Sequence, residues 1–64
     1  MMIRQINNET NKLVAVHEVN ATNWRKLATK VSEFNCGMTP EQVQSAWISG
    51  NPVYTSFNHY EPVK

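Results

Sequence analysis

The chain has 64 residues, a formal charge of +1, 41% apolar and 17% charged residues, and a single cysteine. A chain this short forms one domain, here residues 1–64, and buries only about 60% of the surface it exposes when unfolded. It has neither a disulfide nor a zinc-spaced Cys/His set to staple it. The near-neutral charge argues against a partner held mainly through phosphates, which needs several Lys or Arg on one surface. The apolar share argues against intrinsic disorder.

No apolar run approaches the roughly 20 residues of a membrane-spanning helix, and MMIRQINNETNK lacks the apolar centre of a signal peptide. With a free Cys36 and no export signal, the expected compartment is the cytoplasm. The triplets Asn8-Glu9-Thr10 and Asn20-Ala21-Thr22 then carry no glycosylation meaning. A start at Met1 and an end at Glu61-Pro62-Val63-Lys64, with no repeat or low-complexity tract, lead us to expect a complete small reading frame.

In chain order, MIRQI (2–6) and KLVAVHEV (12–19) are β-leaning runs separated by NNETN. Asparagines tolerate the left-handed conformations of tight turns, so an antiparallel hairpin is predicted. In its second strand Leu13, Ala15, His17 and Val19 share one face, and Val14, Val16 and Glu18 the other. Apolar residues on both faces suggest a strand covered on one side and partly on the other.

The segment NATNWRKLATKVSEFN places Trp24, Leu27, Ala28, Val31 and Phe34 on one stripe of a helix, with Asn20 or Thr22 as its N-cap. A second helix is framed at both ends. Thr39 and Gln42 form a capping box, Pro40 takes the first helical position, and Met38 can staple onto Val43. Ser49-Gly50-Asn51-Pro52 supplies the stop. Val43, Ala46 and Trp47 make its apolar face, extended sideways by Ile48.

Residues 53–60 (VYTSFNHY) alternate strictly, which predicts one strand with Val53 and Phe57 on one face and Tyr54 and Tyr60 on the other. The order ββααβ implies an α+β fold, an antiparallel sheet with two helices packed on one face.

Chemistry is sparse. The five acids are spread over the chain without a pair spaced for acid–base work, and Gly37 and Gly50 are the only glycines, so there is no phosphate loop. Cys36 has no basic neighbour to activate it, and reads as a small half-buried hydrophobe. His17 reads as a satisfied core or rim residue and His59 as a surface group. No catalytic residue, cofactor or metal ligand is expected.

A helix-turn-helix over residues 22–49 would give a dimeric DNA-binding regulator reading bases through Glu41, Gln42, Gln44 and Ser45. Its second helix, however, has no Lys or Arg and begins with an acid. FNCGMTPEQVQSAWISGN is also loosely similar to the turn and short helix of ubiquitin-associated domains. Those domains are three-helix bundles, and the β-leaning runs flanking this stretch speak against that fold.

The expectation that remains is a protein-binding modulator, an inhibitor or adaptor of a larger protein, of the kind that phages and mobile elements encode. Its expected contact residues are Tyr54 and Tyr60 on the last strand, Arg25, Lys26 and Lys30 on the first helix, and Trp47 as interface or core. A second copy of the chain is one candidate partner, and aromatics on an edge strand invite either kind of pairing.

Overall fold

The computed structural model describes residues 1–35 and 37–63. Cys36 and Lys64 lie outside the described residues, and with Cys36 the expectation of a half-buried thiol in the inter-helix turn. Strands β1 (Met2–Asn7) and β2 (Leu13–Glu18) form the expected antiparallel hairpin. Asn7 builds its turn: the side-chain oxygen accepts the N–H groups of Glu9 and Thr10 at 2.8 and 2.9 Å. Asn11 takes the left-handed conformation (φ 61°) that asparagine tolerates. The register then shifts between Gln5 and Ile6, leaving Val14 as the unpaired residue of a bulge.

After the helices the structure departs from expectation. Residues 53–60 are not one strand but two, β3 (Val53–Tyr54) and β4 (Asn58–Pro62), so the order is ββααββ. The chain reverses over residues 55–58. There the Thr55 N–H and hydroxyl both donate to the Asn58 carbonyl at 2.8 Å, and the Asn58 N–H returns a bond to the hydroxyl at 3.2 Å. Thr, Ser and Asn side chains that hydrogen-bond nearby backbone are turn formers, and here they overrule an alternation that contains neither Gly nor Pro.

The reversal changes which residues share a face. Val53 and Tyr60 are seven apart and would lie on opposite sides of a single strand. Across the hairpin they are direct partners, as are Tyr54 and His59. The sheet is antiparallel throughout in the order β2-β1-β4-β3, so the last strand pairs with the first and leaves β2 and β3 as the edges.

Helix α1 (Trp24–Glu33) buries Ala28 and Val31, with Trp24 and Leu27 packed beside them. Two details of its stripe differ from the reading above. Phe34 ends up exposed at the C-cap, where the helix stops before the residue can swing inward. Asn23, rather than Asn20 or Thr22, is the N-cap, and its side chain does not cap. Instead Asn20 and Asn23 brace the loop: the Asn20 side-chain oxygen accepts from the N–H groups of Thr22 and Asn23, and that of Asn23 from the N–H of Asn20.

Helix α2 (Pro40–Ile48) has both designed ends. Thr39 and Gln42 exchange the two capping-box bonds. Gly50, at φ 84°, donates to the Trp47 carbonyl while Asn51 donates to that of Ala46, the pair of bonds that define a Schellman stop.

One cluster forms the core between the helices and one face of the sheet: Ile3, Val19, Ala28, Val31, Val43, Trp47, Val53 and Tyr60. The Trp47 indole N–H donates to the Tyr60 carbonyl at 3.0 Å, so a wholly buried ring also leaves no donor unpaired. Both helices therefore cover one face of the sheet, and among the described residues no secondary-structure element covers the other.

Candidate binding surface

Pairing register determines what stands on that second face. Strand β1 contributes Met2, Arg4 and Ile6. Their partners on β2 are Glu18, Val16 and Leu13, and on β4 Arg4 and Ile6 face Glu61 and His59. Tyr54 joins them through His59, its ring stacked on the imidazole at 4.8 Å between centroids. Arg4 pairs with Glu61 across the centre. Ile6 is only 8% exposed although it lies outside the core cluster, flanked by Leu13 on β2 and His59 on β4. On the same face Met2, Leu13, Val16 and Tyr54 are exposed, as are Val14 at the bulge and Phe57 at the tip of the β3–β4 turn. A single exposed apolar residue is ordinary; a contiguous set on one sheet face marks an interaction surface.

The tips of the two hairpins are tied together. Asn8 donates its N–H to the Phe57 carbonyl at 2.9 Å and its side-chain amide to the Thr55 carbonyl at 2.9 Å. Its side-chain oxygen lies 2.9 Å from His59 Nδ1. Tyr54, stacked on that imidazole, is therefore held on a braced end of the sheet.

The six residues expected to meet a partner do not form one surface. Tyr54, 58% exposed, stands on the open face. Tyr60, 4% exposed, stands on the other and belongs to the core, where burial pushes its phenol above the ordinary value. Trp47 is 1% exposed and also core. The surface imagined around both tyrosines is thus replaced by one around Tyr54 alone.

Of the three basic residues, Arg25 is engaged. It lies over the Trp24 ring at 4.6 Å and donates to Glu41 at 3.0 Å. The Glu41 carboxyl is held below its usual range by its own backbone N–H and then by this guanidinium. Lys26 and Lys30 have no acidic partner within ion-pairing distance among the described residues. They instead line a groove of about 400 Å³ between α1 and β2, with Val16, His17, Glu18, Asn23 and Leu27.

His17 Nε2 lies 2.8 Å from the side-chain oxygen of Gln5, and burial followed by the charge of Lys30 lowers its pKa. Among the described residues no buried side-chain nitrogen or oxygen lacks a partner, and no three His, Cys, Asp or Glu side chains group as metal ligands. No helix among them is long and apolar enough to cross a membrane. The side chains that a helix-turn-helix would turn toward DNA are partly committed, Gln42 to the capping box and Glu41 to Arg25. No family model matches the chain, nor does any curated protein or solved structure.

Sequence reasoning missed Leu13, Val14 and Val16 as surface residues. Their signal was present, since a strand apolar on both faces needs two covers. With both helices expected on one face of the sheet, the opposite face was left to solvent, and the strand residues standing on it follow from the pairing register.

Proposed function

We propose that this chain is a small non-enzymatic protein-binding modulator of the cytoplasm, blocking or tethering a larger protein through the open face of its sheet. The observation that carries this reading is the set of Leu13, Val14, Val16 and Tyr54, exposed on the sheet face with no helix or strand of the described residues over it. In a domain of 64 residues, leaving that much apolar surface in water forgoes stabilisation that a core of this size needs. A partner surface recovers it. The edge strand β2 borders the same face and offers backbone groups for pairing.

The test replaces Val14 and Tyr54 together with lysine. Both side chains are more than half exposed, so the variant is expected to keep its circular dichroism spectrum. Capture of a discrete partner from lysate of the source cell should fall at least about tenfold, since two interface anchors are lost. A folded variant that captures the same partner equally well refutes the assignment of this face. Light scattering on the wild-type chain decides whether that partner is a second copy.

A further inference from the structure

The free edge of β2 and the basic groove beside it form one feature. Met1 and Val19 exchange both backbone bonds, at 2.9 and 2.8 Å. In an antiparallel ladder such pairs alternate with non-bonded ones, so Ile3/His17 and Gln5/Ala15 repeat the exchange. The N–H and C=O of Val16 then point away from β1, toward an edge on which no further strand of the described residues lies. The free stretch is short and bounded. The bulge at Val14 disturbs it on one side. On the other, the Asn23 side-chain amide donates to the Glu18 carbonyl at 3.1 Å and occupies that position.

An incoming strand can therefore make one fully bonded antiparallel pair, with its central residue opposite Val16. Alternation dictates the rest. The central side chain lies with Val16 on the open apolar face. Its two neighbours point to the helix side, beside Ala15 and His17, into the groove that Lys26, Leu27 and Lys30 line. Those neighbours are about 6.8 Å apart, two residues along a strand. Lys26 and Lys30 are one helical turn apart, about 6 Å along the axis. Two lysines without acidic partners among the described residues thus line the groove that receives these two side chains, at a comparable spacing. Lys30 already makes its charge felt at the groove floor, where it helps to lower the His17 pKa. Glu18, the one acid lining the groove, is a register partner of Met2 and so alternates toward the open face.

We propose that this groove takes an extended segment of a partner protein with an acid–apolar–acid sequence, added antiparallel to β2 opposite Val16. The segment's carboxylates meet Lys26 and Lys30, and its central apolar side chain extends the open face. The same lysines disfavour a second copy pairing through its own β2, because four ammonium groups would then gather around one two-fold axis. The proposal rests on the protein-binding reading and names the chemistry of the partner.

The probe is the capped peptide Thr-Val-Glu-Val-Glu-Val-Thr, titrated into the isotope-labelled chain and followed by backbone amide resonances. Saturable shifts centred on Val16, Glu18, Lys26 and Lys30 are expected, with slowed exchange of the Val16 amide. The analogue with lysine in place of glutamate should not bind. N-methylation of the central valine, which removes the pairing N–H without touching the protein, should abolish binding. Lys26→Glu with Lys30→Glu should weaken binding about tenfold, the effect of two half-exposed ion pairs. Shifts elsewhere, equal binding of the lysine peptide, indifference to N-methylation or to the double charge reversal, or a Val16 amide already protected by dimerisation would each overturn the proposal. If the peptide fails while the Val14/Tyr54 variant still loses its partner, the protein-binding reading stands and this segment is wrong. If that variant also keeps its partner, both fall.

Discussion

Replacing Tyr60 and Tyr54 separately by alanine tests the chain reversal on which the binding surface depends. On a continuous strand the two tyrosines would share one face and have similar surroundings. In the structure Tyr60 is 4% exposed and Tyr54 58%. A tyrosine offers about 200 Å² for burial, so Tyr60 withholds about 110 Å² more from water, worth about 2.7 kcal/mol at 25 cal/mol/Å². Tyr60→Ala also opens a cavity in the core cluster, which places its total near the roughly 3–5 kcal/mol typical of buried aromatic truncations. A domain of this length has a stability of about 3–10 kcal/mol, so Tyr60→Ala is expected to be largely or wholly unfolded in buffer. Tyr54→Ala should lose about 1 kcal/mol or less, with its stacking on His59 removed.

Urea unfolding followed by tryptophan fluorescence reads the difference directly, because Trp47 donates to the Tyr60 carbonyl and reports the integrity of that region. Tyr60→Phe serves as the milder variant should the alanine form give no folded baseline. It keeps the ring and should lose about 1 kcal/mol or less. Equal losses for the two alanine variants, within about 0.5 kcal/mol, would refute the reversal at residues 55–58 and restore a single strand. There is a practical corollary for mapping the partner: a double tyrosine variant would abolish binding by unfolding, whatever Tyr54 touches.

Two further predictions use the same assay. Thr39→Ala removes a capping-box acceptor and should destabilise the chain by about 1 kcal/mol, seen as a lower urea midpoint with unchanged slope; no loss would mean that the capping box is idle. His17 has a pKa below its ordinary 6.5 through burial and then Lys30, so the unfolded chain binds this proton more readily than the folded one. Its contribution is therefore fully present above pH 6.5 and is lost as pH falls through the lowered folded value. Comparing midpoints at about pH 8 and about pH 5, His17→Gln should show a smaller acid loss than wild type; identical pH profiles would show that His17 is not the group responsible.

Much of the local structure was legible because it depends on neighbours a few residues away. The capping box needs only Thr39, Pro40 and Gln42 in sequence, and the stop needs only Gly50 ahead of Pro52. The first hairpin follows from two β-branched runs around an asparagine turn. The inward stripe of Trp24, Leu27, Ala28 and Val31 follows from helical spacing. Phe34 fits the same spacing yet is exposed, because position on a helical wheel says nothing about where the helix ends.

Other features depend on contacts between distant segments. A reversal at Thr55 and Asn58 is supported by local hydrogen bonds, but the alternation of VYTSFNHY reads equally well as one strand. The hairpin is settled by β4 pairing with β1 and by the Trp47 indole donating to the Tyr60 carbonyl. Tyr60 and Tyr54 were assigned to one face by parity, and a reversal inverts parity. Lys26 and Lys30 were identifiable as exposed cations on a helix, whereas their meeting with the β2 edge belongs to the packing of α1. Sequence alone determined the first hairpin, the two helices, the caps of the second helix and the apolar content of each strand, since these are short-range properties of the backbone. Tertiary structure alone decided which apolar residues are core and which are surface, because burial is a property of a face, and a face exists only once strands are paired and helices have chosen a side.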